Sequence, residues 1–140
     1  MRRTRVALVA GVLAALVMLA MTGPVAAHHS FSAEYDDKRP LKVSGKLTTM
    51  KWANPHAWIY LDVKGKDGKV VNWAFETGGA NGLYRRGWRK EDLPVGAVLT
   101  IEAFQARNGT PTANATTILL PDGKRLFAGS SAPSAPGGAK

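Results

Sequence analysis

Cysteine is absent from the 140-residue chain, and carboxylates are scarce: ten Asp and Glu stand against nineteen Lys and Arg, for a formal charge of +9. Without a thiol there can be no disulfide, Cys-ligated zinc, iron–sulfur cluster, thiol nucleophile or lipid-modified N-terminal Cys. The sequence also has no phosphate-cradling Gly loop, no His-Glu-x-x-His, no carboxylate pair at a telling spacing and no Ser in a nucleophile elbow. These gaps point to a protein that is not an enzyme. What is present is apolar enough to fold, with 45% hydrophobic residues in a length that suits one compact domain.

The chain opens on a basic Met1-Arg2-Arg3-Thr4-Arg5, and the sixteen residues from Val6 to Met21 are all apolar or Gly. That length matches a secretory h-region and falls short of the ~18 residues expected of a membrane span. Thr22-Gly23-Pro24 breaks the helix, and Val25-Ala26-Ala27 offers small residues for cleavage. Residues 1–27 therefore read as a signal peptide, which predicts a periplasmic or secreted protein with no stable membrane span after processing. Removing it leaves sixteen basic groups against ten acids, a net +6. That surplus favours anionic surfaces, but nucleic acid is not an expected partner of an exported protein.

Residues 28–40 are polar and irregular, an N-terminal extension with Phe31 and Tyr35 as anchors. The tail, 130–140, is rich in Ser, Ala, Pro and Gly, which predicts disorder. Between them, 41–129 alternates short β-type runs with turns. Leu41, Val43 and Leu47 share a face, and Met50 and Trp52 continue one position out of step, so a β-bulge is expected near Thr48-Thr49. Ile59, Leu61 and Val63 point inward, an Asp67-Gly68 turn follows, and Val71, Trp73 and Phe75 form the partner face. A short helix is expected over 81–86, stopped by Gly87, then strands over 97–105, 113–120 and 124–127. A helix-bearing connection between the third and fourth strands predicts a mostly β, small OB-like barrel of five or six strands with one short helix. A small sandwich is the alternative.

Several short segments recur together in one group of proteins: Ala27-His28-His29-Ser30-Phe31, Trp52-Ala53-Asn54-Pro55-His56-Ala57-Trp58 and Asn72-Trp73-Ala74-Phe75-Glu76. Leu83-Tyr84-Arg85-Arg86-Gly87-Trp88 and Leu120-Pro121-Asp122-Gly123-Lys124-Arg125-Leu126-Phe127 belong to the same set. Over residues 27–129 the chain resembles a family of small exported bacterial proteins, domain-of-unknown-function family 6152. The resemblance implies secretion and a compact β domain, and carries no activity with it.

The histidines are the candidate chemistry. Cleavage after Ala27 would make His28 the N-terminal residue, whose amine and imidazole chelate one metal ion while His29 or His56 supplies a third nitrogen. Cleavage after Ala26 would place a His at the third position, an arrangement that binds Cu(II) or Ni(II) through amine, amides and imidazole. Both sets are nitrogen-rich and square-planar, and copper leads the divalent affinity order. His56 lies in an Asn-Pro turn flanked by Trp52 and Trp58, where it is either a ligand, with Met50 adding a soft sulfur and Trp52 a cation–π cap, or a turn-holding residue bonded to backbone. Trp58 and Tyr60 alternate with inward residues and form an outer aromatic face, available to a ligand or covered by Phe31 and Tyr35. Arg85, Arg86, Arg89 and Lys90 surround Trp88 as a basic patch, either a partner surface or a solvated helix face.

The sequence thus predicts a monomeric or weakly associating, exported binding protein whose most testable ligand is copper, at His28, His29 and His56. The alternative is an envelope protein-interaction module that uses the Trp58/Tyr60 face or the arginine patch. Intact mass of exported protein is expected to give a chain that starts at Ala27 or His28. A retained leader, or a cut beyond His29, would remove the amine from the imidazoles.

Overall fold

The computed structural model describes residues 31–129. The leader, His28, His29 and the 130–140 tail lie outside the described residues. A short helix α1 (Phe31–Glu34) leads directly into the long strand β1 (Tyr35–Lys51). Strands β2 (Trp58–Lys64) and β3 (Val70–Glu76) follow as a hairpin, then helix α2 (Ala80–Arg85) and a 3-10 turn at Lys90–Asp92. Strands β4 (Val98–Ala106), β5 (Thr112–Leu119) and β6 (Arg125–Phe127) complete the chain. Among the described residues, no helix is long and apolar enough to cross a membrane.

The strand order is β3-β2-β1-β4-β5-β6, with a further pairing between β3 and β5. That last contact is parallel, joins Ala74–Glu76 to Thr112–Asn114, and closes a ring of five strands. The long β1 makes closure possible, because its first part pairs with β4 and its last part with β2. The expected OB-like barrel is therefore present, with α2 in the connection between β3 and β4. β6 extends the sheet beside the far half of β5.

Local chemistry explains most of the elements. The register of β1 against β2 shifts between Leu47 and Thr49, where the slip in side-chain parity predicts a bulge. The turn of the β2–β3 hairpin ends on Gly68 with φ +81°, a left-handed conformation that Gly adopts at no steric cost. Gly87, at φ +90°, ends α2 in the same way. The 3-10 turn is held by the Asp92 carboxylate, which accepts the Arg89 backbone N–H at 2.7 Å. Neither that turn nor α1 is evident in the sequence pattern.

Two regions differ from the sequence reading. β1 starts at Tyr35, six residues before the expected Leu41, because this stretch runs beside β4 with Asp37–Pro40 facing solvent and so shows no apolar alternation. Trp88, read as the centre of a basic patch, is instead among the most deeply buried side chains. It joins Leu47, Ile59, Leu61, Phe75, Leu99, Ile101 and Ile118 in one core cluster inside the barrel. Each such side chain contributes about 1.5–3 kcal/mol by leaving water. A separate cluster of Tyr35, Phe104 and Ala106, with Phe31 packed on it, lies apart from this core and fixes the N-terminal segment.

Gly79 caps the start of α2 where the chain passes close to the 52–57 loop. A Cβ there would come within 2.3 Å of the Pro55 carbonyl oxygen and 2.8 Å of Asn54 Oδ1. Gly82, inside α2, has nothing within 4 Å of the same position. In urea denaturation, Gly79→Ala is expected to cost about 1–3 kcal/mol by overpacking. Gly82→Ala is expected to gain about 0.5–1 kcal/mol, the ordinary penalty of Gly in a helix. Equal effects at the two positions would contradict the close approach of α2 to this loop.

Candidate functional site

The side chains that share a face with Trp58 are set by pairing across three strands. Trp58 on β2 is opposite Glu76 on β3, and Glu76 is opposite Asn114 on β5. The inward neighbours Ile59 and Phe75 are fully buried, so the Trp58–Glu76 row lies on the outer side of the barrel wall. The N-terminal segment packs across this row. Arg107 donates its backbone N–H to Glu34 O (2.9 Å) and its Nε–H to Ser32 O (2.8 Å), which ties α1 to the end of β4. Phe31 stacks on Tyr35 with ring centroids 5.6 Å apart and meets Phe104 edge-on at 5.8 Å.

A cleft of about 610 Å³ lies between this segment, the 52–57 loop and the start of α2. Phe31, Tyr35, His56, Trp58, Glu76 and Arg86 are among its lining residues, with Gly78, Gly79 and Gly82 supplying bare backbone. A second cleft, about 390 Å³, shares Glu34, Tyr35 and Trp58 and reaches the 107–112 loop. Trp58 lines both clefts together with Tyr35. Tyr60 is half-buried and has the Lys51 ammonium 5.1 Å from its ring centroid.

The chemistry of the large cleft centres on Glu76, a carboxylate that is only 7% exposed. Tyr35 donates its hydroxyl to Glu76 Oε2 at 2.5 Å. His56 Nδ1 lies 2.9 Å from Oε1 of the same group and 3.3 Å from the Thr77 carbonyl oxygen. Burial, followed by the hydrogen bond to Glu76 and the charges of Glu76 and Glu34, pushes the Tyr35 phenol well above its ordinary value. The phenol therefore stays a proton donor to one oxygen of the buried carboxyl group, while His56 Nδ1 faces the other.

The other sequence candidates are placed elsewhere. Met50 and Trp52 pack half-buried against the barrel core and are not among the residues that line the cleft. All four residues of the basic patch, Arg85, Arg86, Arg89 and Lys90, are exposed, and two of the arginines also bond to the fold. Arg86 donates Nη1–H to Gly129 O at 2.9 Å and lies over the Phe127 ring. Arg89 stacks on Tyr84, with its Cζ 4.0 Å from the ring centroid, and donates to Trp88 O at 2.7 Å. Arg85 is exposed. Among the described residues no group of three or more His, Asp or Glu is placed to hold a metal ion. A site that uses His56 must therefore draw on other donors, and His28 and His29 lie outside the described residues.

Sequence reasoning missed Tyr35 and Glu76 as site residues. Glu76 reads only as the end of a strand and Tyr35 as an aromatic anchor, because the link between them spans 41 residues. The one usable signal is the parity of β3, which sets Glu76 opposite to the core residue Phe75.

Residues 15–115 match a family of unknown function (DUF6152), and the chain belongs to that family. Comparison with curated proteins and with solved structures finds no match.

Tyr35→Phe removes one donor from a buried carboxylate and is expected to cost about 1.5–3 kcal/mol at neutral pH, measured by urea denaturation. The sign of the pH effect follows from the raised phenol. Above pH ~10 the unfolded phenol ionises while the folded one keeps its proton. Stability is complete below that range and falls as the pH rises through it, and Tyr35→Phe is expected to flatten the fall. An unchanged alkaline slope would contradict the buried Tyr35–Glu76 bond.

Proposed function

We propose that this is an exported, non-enzymatic binding protein whose ligand is copper, held by the mature N-terminus with His28 and His29 and closed by His56. The observation that carries this reading is the placing of Phe31 and His56 in the lining of one cleft. His29 and His28 precede Phe31 by two and three residues. An extended chain spans about 3.3–3.6 Å per residue, so both imidazoles are tethered within about 7–11 Å of the Phe31 backbone. A tether that short makes the meeting of His56 with the N-terminal donors intramolecular, at effective concentrations in the millimolar range.

The donor chemistry supports the divalent ion. Imidazoles and an amine are borderline nitrogen ligands that suit Cu(II), and the soft sulfur that would favour Cu(I) is missing from the cleft lining. Tetragonal nitrogen coordination is the geometry Cu(II) prefers, and Trp58 and Phe31 supply aromatic walls around it.

Titration of the exported protein with Cu(II) is expected to give one equivalent bound with a dissociation constant below micromolar. His28→Ala/His29→Ala should abolish that site. His56→Ala should weaken it by at least about tenfold, or ~1.4 kcal/mol. The absence of a stoichiometric, His-dependent site would overturn the reading.

A further inference from the structure

We propose that the surface formed by residues 84–92 and β6 docks on an anionic lipid bilayer, its arginines taking lipid phosphates and the exposed Tyr84 and Phe127 rings entering the interface. No histidine enters this surface, so it stands apart from the copper reading.

Two contacts lay β6 alongside the 84–92 segment. At one end Arg86 Cζ lies 5.0 Å from the Phe127 ring centroid, and at the other the Lys124 ammonium is 3.7 Å from the Asp92 carboxylate. Residues 84–92 and 122–127 carry six cations, Arg85, Arg86, Arg89, Lys90, Lys124 and Arg125, against three acids, Glu91, Asp92 and Asp122. Two of those acids are turned to the fold. Asp92 accepts the Arg89 backbone N–H at 2.7 Å, and Asp122 accepts that of Lys124 at 2.9 Å. Arg125 meets Glu102 at 3.1 Å, a carboxylate shared with Lys42 at the same distance. Arg85 and Lys90 are exposed and form no ion pair with a described residue. The surface is therefore left with a positive excess, which attracts anions.

Exposed rings stand among these charges. Tyr84 is 57% exposed and Phe127 49%. Each carries a guanidinium on its face, Arg89 on Tyr84 at 4.0 Å and Arg86 on Phe127. Arg86 and Arg89 also donate to backbone carbonyl oxygens of Gly129 and Trp88. A guanidinium held in this way loses little further freedom when it binds, and its five donors exceed the carbonyls it meets here, so it can take a phosphate bidentately.

The pairing of rings with cations favours a bilayer as the occupant. Tyrosine settles at headgroup level, and each Lys or Arg near an anionic leaflet adds to binding, so a membrane supplies both the anion and the apolar layer beneath it. The β2–β3 turn offers a contrast. It has three exposed lysines, Lys64, Lys66 and Lys69, but residues 64–72 contain no aromatic ring, and Asp67 pairs with Lys69 at 3.8 Å.

Vesicle flotation tests this, with the protein whose N-terminus is Ala27 or His28. Phosphatidylcholine vesicles containing about a third phosphatidylglycerol are expected to capture it, pure phosphatidylcholine vesicles are not, and capture should weaken as salt rises. Arg85→Glu/Lys90→Glu is expected to lower the partition coefficient at least about tenfold. Lys64→Glu/Lys66→Glu makes the same change in net charge at the β2–β3 turn and is expected to lower it less than about threefold. Tyr84→Ser should lower capture with no change in charge. Circular dichroism confirms folding, and if Arg85→Glu/Lys90→Glu fails to fold, Arg85→Gln/Lys90→Gln takes its place, with an expected loss of about fivefold or more. No capture by the anionic vesicles, equal losses in the two charge-reversed variants, or full capture of Tyr84→Ser would overturn the proposal. Retention on immobilised polyglutamate without capture by vesicles would assign the surface to an acidic protein and overturn it as well.

Discussion

The hydrogen bond from Tyr35 to the buried carboxylate of Glu76 is the constraint on which the site depends. Tyr35 stands at the junction between α1 and β1, and Glu76 ends β3 on the far side of the ring closure. A carboxyl group this deeply buried needs polar partners, and in this fold they come from the N-terminal segment and from the 52–57 loop. The same group therefore holds down the segment that follows the His pair and stands beside His56.

The barrel supplies the geometry that makes such a bond possible. Parallel pairing of β3 with β5 brings Glu76 beside Asn114, and antiparallel pairing with β2 sets it opposite Trp58. The close passage of Gly79 under Pro55 then brings the 52–57 loop against the start of α2, which leaves His56 at the cleft. Rigid strands carry the carboxylate and the tryptophan, while the loop carries the histidine. That division suits a binding site, where fixed walls meet a locally adjustable ligand.

Legibility in the sequence tracked the range of the interactions. The β1 bulge, the β2–β3 hairpin and the inward residues of β2 and β4 were readable because each rests on period-two alternation or on a local Gly turn. Helix α2 was placed within a residue of its ends for the same reason, with Gly87 as its stop. The early part of β1 was not readable, since Asp37–Pro40 face solvent and carry no apolar signal. The burial of Trp88 was not readable, since its sequence neighbours Arg85, Arg86, Arg89 and Lys90 are charged while the indole itself is in the core. The Tyr35–Glu76–His56 arrangement was invisible for a different reason. Its members are 41 and 20 residues apart, and only the closure of the ring brings them together.

The most direct test is a crystal structure, grown with Cu(II), of the protein with its N-terminus at Ala27 or His28. The result expected is a metal ion held by the N-terminal amine and the imidazoles of His28, His29 and His56, with the Tyr35 hydroxyl still on Glu76. Copper bound by the N-terminus away from His56, or Tyr35 released from Glu76 with residues 31–35 lifted off the barrel, would contradict it.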